Sequence, residues 1–160
     1  MAAACVLLSL LTACLVFLHV DSENCREGWH FHGGSCYSFG DSLVTWGDAQ
    51  TICATSNGHL AEIETSEENE FLKNISRTEK VLNTFLGGTD VFDEGVWVWA
   101  SSGNNIYPFV DWAPGEPNEL QGEDCLVFYG VEDYRWDDFY CNMPANFICE
   151  VKATDLPVVG

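Results

Sequence analysis

The chain has 160 residues and carries 25 acidic residues against 6 basic ones, which gives a formal net charge of −19. This charge excludes nucleic acid as a natural partner, because no basic patch is available to meet phosphate groups. It also disfavours anionic membrane surfaces, and the length is that of a single domain.

Residues 1–22 are expected to form a signal peptide. Their apolar segment, Val6–Leu18, is followed by an acceptable cleavage site at Val20 and Ser22. A membrane anchor is the alternative, but the apolar run is short for a bilayer span and polar residues follow it at once. We therefore expect a secreted, extracellular protein without membrane insertion.

Six cysteines remain after the signal peptide, and an even number in a secreted chain predicts three disulfides. Zinc ligation is the alternative, but no pair has the C-x-x-C spacing of common zinc sites. Spacing alone leaves the pairing open among Cys25, Cys36, Cys53, Cys125, Cys141 and Cys149.

A β-hairpin and a first helix are predicted next. Aromatic residues alternate around Gly33 and Gly34, which is typical of a hairpin; they are Trp29, Phe31, Tyr37 and Phe39. From Thr45 the apolar residues recur at helical spacing, and the pattern ends near Asn57.

A second helix is predicted to begin at Thr65, which forms a capping-box signature with Glu68. The helix dipole explains the acids in its first turns, Glu67, Glu68 and Glu70. Its buried stripe is expected to contain Phe71, Leu72 and Ile75. The helix also carries the glycosylation sequon that begins at Asn74.

After residue 80 the helical pattern does not return. Short strand-like runs follow instead, at Phe85–Gly88, Val96–Trp99, Leu126–Tyr129, Arg135–Trp136 and Phe147–Val151. Two early helices followed by short strands predict an α+β domain. Residues 100–124 form one long loop region, and loops of this length are usually functional.

The acids are concentrated in the second half of the chain. Between Asp90 and Asp138 lie 12 of the 25, and Arg135 is the only base there. Carboxylates and amides without histidine or free thiolate are the hard oxygen donors that Ca²⁺ prefers. A solvated acidic loop is the alternative interpretation of this segment.

Together these residues resemble the C-type lectin domain in its long form, over residues 25–151, with a short tail at 152–160. Small secreted lectins of invertebrates, of the perlucin-like type, are similar in layout. The resemblance implies two helices packed on small antiparallel sheets and a long calcium-binding loop region. It also implies the disulfides Cys25–Cys36, Cys53–Cys149 and Cys125–Cys141.

The resemblance implies two calcium sites. The principal site, which also binds the sugar, would use Glu116, Asn118, Glu123, Asp137 and Asp138, with a cis bond between Glu116 and Pro117. The second site would use Asp90, Glu94, Glu119, Glu123 and Asp124. Ca²⁺ is therefore the expected cofactor.

The implied ligands are glycans, and Glu116-Pro117-Asn118 resembles the motif of mannose-binding members. Some members with this motif bind galactose, so galactose is the alternative ligand. Asp137 stands where the family normally has asparagine, so one hydrogen-bond donor is missing and weaker or broader sugar recognition is expected. Of the aromatic residues, Trp97, Trp99 and Trp136 are expected in the core, whereas Tyr107 and Trp112 could touch a sugar.

The resulting hypothesis is a secreted calcium-dependent lectin that recognises microbes in innate immunity, with a non-covalent homodimer supplying valency. The alternative is an acidic module of the same fold that binds mineral calcium or protein without strong sugar binding. No enzymatic activity and no catalytic residues are expected, because the histidines lack catalytic spacing and the cysteines are assigned to disulfides.

Overall fold

The structure is a computed structural model that describes residues 25–118 and 122–155. The predicted signal peptide, Glu119 and the tail from residue 156 lie outside the described residues. Within them the chain forms two helices and eight strands: β1 (His30–His32), β2 (Ser35–Val44), α1 (Trp46–Thr55), β3 (His59–Leu60), α2 (Ser66–Glu79), β4 (Asn83–Thr89), β5 (Val98–Trp99), β6 (Cys125–Tyr129), β7 (Arg135–Phe139) and β8 (Ala145–Lys152).

The strands form one hydrogen-bonded sheet with the order β1-β2-β8-β4-β6-β7, while β3 pairs with β8 and β5 pairs with β4. Every pair is antiparallel except β4 with β8. This parallel pair joins the group of strands β1, β2 and β8 to the group of strands β4, β6 and β7. The sheet is therefore continuous and largely antiparallel, with two helices and three disulfides as predicted.

Helix α1 confirms its prediction. Thr45 is the N-cap, and its hydroxyl accepts a hydrogen bond of 3.3 Å from the backbone N–H of Asp48. The helix buries Ala49 and Cys53. The chain leaves it through Asn57, whose φ of 59° lies in the left-handed region that asparagine tolerates.

Helix α2 begins at the predicted N-cap, Thr65, whose hydroxyl accepts from the N–H of Glu68 at 3.2 Å. Its buried face differs from the prediction, however. Leu72 is buried, but Phe71 and Ile75 are only half-buried. Most of the buried face is polar, with Glu68, Asn69, Lys73 and Ser76. Neighbouring loops and strands supply hydrogen-bond partners to the first three, and Ser76 donates to the carbonyl of Leu72 in the same helix.

All three disulfides are confirmed, as Cys25–Cys36, Cys53–Cys149 and Cys125–Cys141. The second joins α1 to β8 across a sequence separation of 96 residues. The third joins the start of β6 to the turn after β7, so it braces the two strands nearest the acidic segment.

The core consists of two clusters of buried side chains. One contains the aromatic residues Trp97, Trp99 and Trp136, as expected, and the other surrounds the Cys53–Cys149 disulfide. Neither helix within residues 25–118 and 122–155 has the length and apolar character that a bilayer span requires.

Candidate metal centre

Three carboxylates from two separate parts of the chain meet at one end of the sheet. Oxygen atoms of Glu116, Asp137 and Asp138 lie within 4.8 Å of one another. Asp137 and Asp138 lie on β7, where they pair with Val127 and Leu126 of β6. Glu116 comes from the long loop, so the cluster has a strand half and a loop half.

The loop half is attached to β7 through backbone hydrogen bonds. Ala113 donates from its N–H to the carbonyl of Trp136 at 2.8 Å, and Glu116 donates to the carbonyl of Ala113 at 3.0 Å. Trp136 directly precedes the two aspartates. The tripeptide that starts at Glu116 is therefore held opposite the strand half.

Asn118 closes the principal cluster. Its side-chain amide donates to Oε2 of Glu116 at 2.7 Å, and its backbone N–H donates to Oδ1 of Asp138 at 3.2 Å. The bond between Glu116 and Pro117 is cis, as the resemblance implies. The amide and the carboxylate therefore project side by side next to Asp138.

The carboxylates of the cluster are partly buried and lie close enough to repel one another. Burial, reinforced by repulsion from Glu116, Asp138 and Glu123, raises the pKa of Asp137 to about 7. Burial also raises the pKa of Glu116, aided by its interaction with Asp138. For Glu123, burial and repulsion from Asp138 and Glu116 raise the pKa. Four carboxylates therefore share one region of mutual repulsion.

The residues predicted for the second site lie beside the first. Oδ2 of Asp90 accepts from the N–H of Gly95 at 2.9 Å, and burial raises the pKa of Asp90, opposed by this bond and reinforced by Asp124. The carbonyl of Asp124 accepts from the N–H of Asp90 at 3.3 Å. Glu94 lies exposed on the same turn. Glu119 is outside the described residues.

Two carboxylate oxygens in these sets are buried without a hydrogen-bond partner among the described residues, Oδ1 of Asp90 and Oε2 of Glu123. A buried acceptor without a donor is unfavourable, because it loses its water and gains nothing in return. A cation would remove this penalty and the repulsion together. Since the surrounding donors are all oxygens, the residues fit Ca²⁺.

The two loop aromatics differ in accessibility. Trp112 is half-buried and packs edge-on against Trp97 and Trp136, with ring centroids 5.0 and 5.8 Å away. Tyr107 remains 59% exposed. Trp112 thus serves as packing for the loop, and Tyr107 is the aromatic that stays available to a ligand.

Sequence reasoning missed a polar cavity of about 470 Å³ between the hairpin and α2. The hydroxyl of Tyr37 donates to Glu68 there, and Ser35 donates to Glu150 at 2.8 Å. Glu68 follows the expected pattern of a first-turn acid but is buried. No local pattern signals this, because its partner Tyr37 lies on the distant strand β2.

Comparison with known families identifies a matching model, described as the Lectin C-type domain, over residues 42–151. The chain is 33% identical over 129 residues to perlucin of Haliotis laevigata, covering 79% of this chain and 82% of that protein. It is 33% identical over 132 residues to human C-type lectin domain family 10 member A, covering 79% of this chain. That match spans only 40% of the human protein.

Solved structures of similar fold support the same family. The structure named as the SPL-1–GlcNAc complex superposes with a TM-score of 0.74 at 28% identity, covering 82% of this chain and 97% of that one. A calcium-independent type II antifreeze protein superposes with a TM-score of 0.71 at 29% identity, covering 80% and 94%. The same fold thus occurs in a sugar complex and in a protein that does not depend on calcium.

Proposed function

Because this chain belongs to the C-type lectin domain family, we propose that it is a calcium-dependent carbohydrate-binding lectin. The observation that carries the proposal is the meeting of Glu116, Asp137 and Asp138 within 4.8 Å, which brings carboxylate oxygens from the loop and from β7 to one point. The family consists of carbohydrate-binding domains without enzymatic activity, so the protein is not an enzyme.

The principal calcium site is proposed to comprise Glu116, Asn118, Glu123, Asp137 and Asp138. Bound Ca²⁺ would supply open coordination positions for two neighbouring sugar hydroxyls. Glu116 would accept a hydrogen bond from one hydroxyl, and Asn118 would donate to it. These two side chains already lie 2.7 Å apart at their polar atoms, so one hydroxyl can reach both.

A second, supporting calcium site is proposed at Asp90, Glu94, Glu119, Glu123 and Asp124. The buried oxygens of Asp90 and Glu123 that lack partners among the described residues support this assignment. A cation here would tie the turn after β4 to the long loop. Its contribution would be to order the loop beside the principal site.

We propose mannose-type glycans as ligands, with galactose as the alternative ligand and with broader recognition because of Asp137. A sugar hydroxyl has one proton to donate, and Glu123 and Asp137 are both acceptors when ionised. The structural similarity to a complex with GlcNAc supports a ligand with equatorial hydroxyls. A glycan array probed with calcium and with a chelator would define the ligand class.

Retention on mannose-agarose and galactose-agarose tests the proposed function. We expect calcium-dependent retention and release by EGTA. Asp138→Asn provides the matched negative control, because it removes one charge from the cluster while keeping its shape. Failure on both resins despite calcium binding would reject the sugar function and favour the alternative below.

Exchanging Asp137 for Asn is expected to raise monosaccharide affinity about 2- to 10-fold, because it restores one hydrogen bond to the second hydroxyl. Calcium affinity should fall at the same time, since one carboxylate is lost. Titration of the sugar at saturating calcium measures the first effect, and titration of calcium into the metal-free protein measures the second. The control is Asp133→Asn, an exposed acid paired with Arg77 away from the cluster. Unchanged or weaker sugar binding in Asp137→Asn would contradict this account.

Calcium affinity is expected to fall as the pH drops below about 7, because protons compete for Asp137. In the metal-free protein its pKa is raised from 3.8 to about 7. In the metal-free protein, the contribution of Asp137 to the free energy of unfolding is therefore fully present below its unfolded pKa of 3.8. This contribution is lost as the pH rises through about 7.

Thermal unfolding in EGTA and in excess calcium, between about pH 5 and 8, tests this predicted pH dependence. We expect the stabilisation by calcium, measured as the difference in Tm between the two series, to increase with pH. Taking the difference removes the contribution of groups whose protonation does not respond to calcium. A difference in Tm that is independent of pH would contradict the prediction.

The alternative function is that of an acidic module of the same fold that binds mineral calcium or a protein. Asp137 favours it, and so does the structural similarity to a calcium-independent antifreeze protein. Adsorption to calcium carbonate together with failure on sugar resins would support it.

Secretion, a role in innate recognition of microbes and a non-covalent homodimer complete the proposal. The three disulfides support an oxidising, extracellular location. Asn74 is exposed on α2, which is compatible with glycosylation of its sequon. Analytical ultracentrifugation and mass spectrometry of the secreted protein test the dimer, the cleavage after residue 22 and the glycan.

A further inference from the structure

A buried polar network lies beneath the long loop. Oδ2 of Asp111 accepts hydrogen bonds from the side-chain amide of Asn69 and from Nζ of Lys73, each at 2.8 Å. Both partners project from α2 and are almost fully buried. The network thus connects the helix to a loop residue 42 positions away from Asn69.

The network continues into β7 through Trp136. Oδ1 of Asn69 accepts from the indole N–H of Trp136 at 3.0 Å. The backbone N–H of Trp136 donates to the carbonyl of Asp111 at 2.8 Å. Asn69 therefore uses its donor on the loop and its acceptor on the strand, so it sets the distance between the two.

The spacing between Asp111 on the loop and Trp136 on β7 also determines how far apart the loop half and the strand half of the candidate metal centre lie. On the strand, Trp136 is followed directly by Asp137 and Asp138. On the loop, the chain from Asp111 reaches Glu116 through Ala113, whose carbonyl accepts from the N–H of Glu116 at 3.0 Å. A change in the loop at Asp111 would therefore move Glu116 relative to the aspartates.

A gain in stability alone does not explain why Lys73 is buried. It is the only one of the six basic residues that is buried, with 4% exposure. A buried ion pair is often no more stable than an apolar replacement of the same size, but it demands a defined geometry. The pair of Lys73 with Asp111, at 2.8 Å, therefore specifies one position of the loop.

We propose that Asp111, held by Asn69 and Lys73, is a positioning residue that fixes Glu116 opposite Asp137 and Asp138 before calcium binds. This inference rests on the proposed calcium-binding function. Four repelling carboxylates would otherwise drive the loop away from the strand in the metal-free protein. Holding the halves together in advance lowers the ordering cost of binding and so raises calcium affinity.

Exchange of the two polar side chains tests the network. Asn69→Asp keeps the acceptor for Trp136 but places a second carboxylate against Asp111. Asp111→Asn removes the closer of the two carboxylates that pair with Lys73, at 2.8 Å, and leaves Glu70 at 3.3 Å. The double variant Asn69→Asp with Asp111→Asn restores a donor, an acceptor and one negative charge beside Lys73. It leaves the net charge of the protein unchanged.

Calcium affinity from titration calorimetry is the first measurement. We expect each single variant to bind calcium about tenfold more weakly, which corresponds to the loss of one charged hydrogen bond. The double variant is expected to recover to within about threefold of the native affinity. Leu60→Ala is the control, because it destabilises the other core cluster without touching the network.

Amide hydrogen exchange in EGTA is the second measurement and needs no calcium. We expect the N–H groups of Ala113 and Asn118 to exchange about tenfold faster in the single variants, and near the native rate in the double variant and in Leu60→Ala. These amides report the attachment of the loop to β7 and to Asp138.

The outcomes separate this inference from the proposed function. If the native protein does not bind calcium, the proposed function fails, and the exchange rates alone decide whether the network positions the loop. If the native protein binds calcium and the single variants match it in affinity and exchange, the positioning role is rejected. An equal loss of affinity in Leu60→Ala would also reject it, because general destabilisation would then explain the effect.

Discussion

Asp138→Asn is expected to lower the calcium affinity of the principal site by about a hundredfold or more and to abolish calcium-dependent retention on sugar resins. Asp138 is only 3% exposed and its Oδ1 already accepts from the N–H of Asn118 at 3.2 Å. Asparagine can keep that bond, so the substitution mainly removes charge. With one carboxylate fewer, the attraction between the site and a divalent cation decreases.

The same substitution is expected to have the opposite effect on the metal-free protein. Removing one charge relieves the repulsion on Glu116, Glu123 and Asp137, whose pKa values are all raised in part by Asp138. We therefore expect Asp138→Asn to unfold at a higher Tm than the native protein in EGTA at pH 8, and at a lower Tm in excess calcium.

Calorimetric calcium titration and thermal unfolding with and without EGTA measure the two effects. Glu132→Gln is the matched control, because it removes one exposed acid from the turn after β6, away from the cluster. It should leave calcium affinity within about twofold, as expected for a distant exposed charge. A lower Tm of Asp138→Asn in EGTA would show that Asp138 is structural and not part of a repelling metal site.

Removing the Cys53–Cys149 disulfide is expected to cost about 4–5 kcal/mol of unfolding free energy on the chain-entropy model. Its cysteines are separated by 96 residues, so its loss releases nearly the whole domain in the unfolded state. Both cysteines are buried in one core cluster with Leu60 and Phe85. Replacement of both by alanine avoids an unpaired thiol in that cluster.

Urea unfolding compares this variant with Cys25→Ala/Cys36→Ala, which opens a loop with a sequence separation of only 11 residues. On the same model the shorter loop is worth about 3 kcal/mol, so its loss should be milder. If the two variants lose the same free energy, loop entropy does not explain the contribution of the longer bridge.

The helices and the hairpin could be predicted because their signals are local. Thr45 and Thr65 cap the helices at the predicted positions, since a capping hydroxyl needs only the N–H three residues on. Gly33 and Gly34 occupy left-handed φ values in the hairpin turn. The prediction failed on the buried face of α2, where polar side chains are buried by partners from other elements.

The chemistry of the candidate site was also determined by the sequence alone. The residue types favour oxygen ligation of a hard cation, and a run of 12 acids with one base, Arg135, favours a cationic partner. The six cysteines with their even count set the covalent frame, and the family resemblance assigned their pairs correctly.

The family resemblance named the acids of the candidate site, but only the tertiary structure shows which of them lie together and which acids pair with a base elsewhere. Glu116 and Asp138 are 22 positions apart in number but meet because Ala113 bonds to Trp136. Asp111, by contrast, lies in the same acidic half of the chain and is neutralised by Lys73. The carboxyl groups of Asp111 and Asp138 are chemically identical in the unfolded chain. Its pKa, its partners and its role depend on burial and on charges that distant elements bring within a few ångströms, and those contacts exist only in the folded chain.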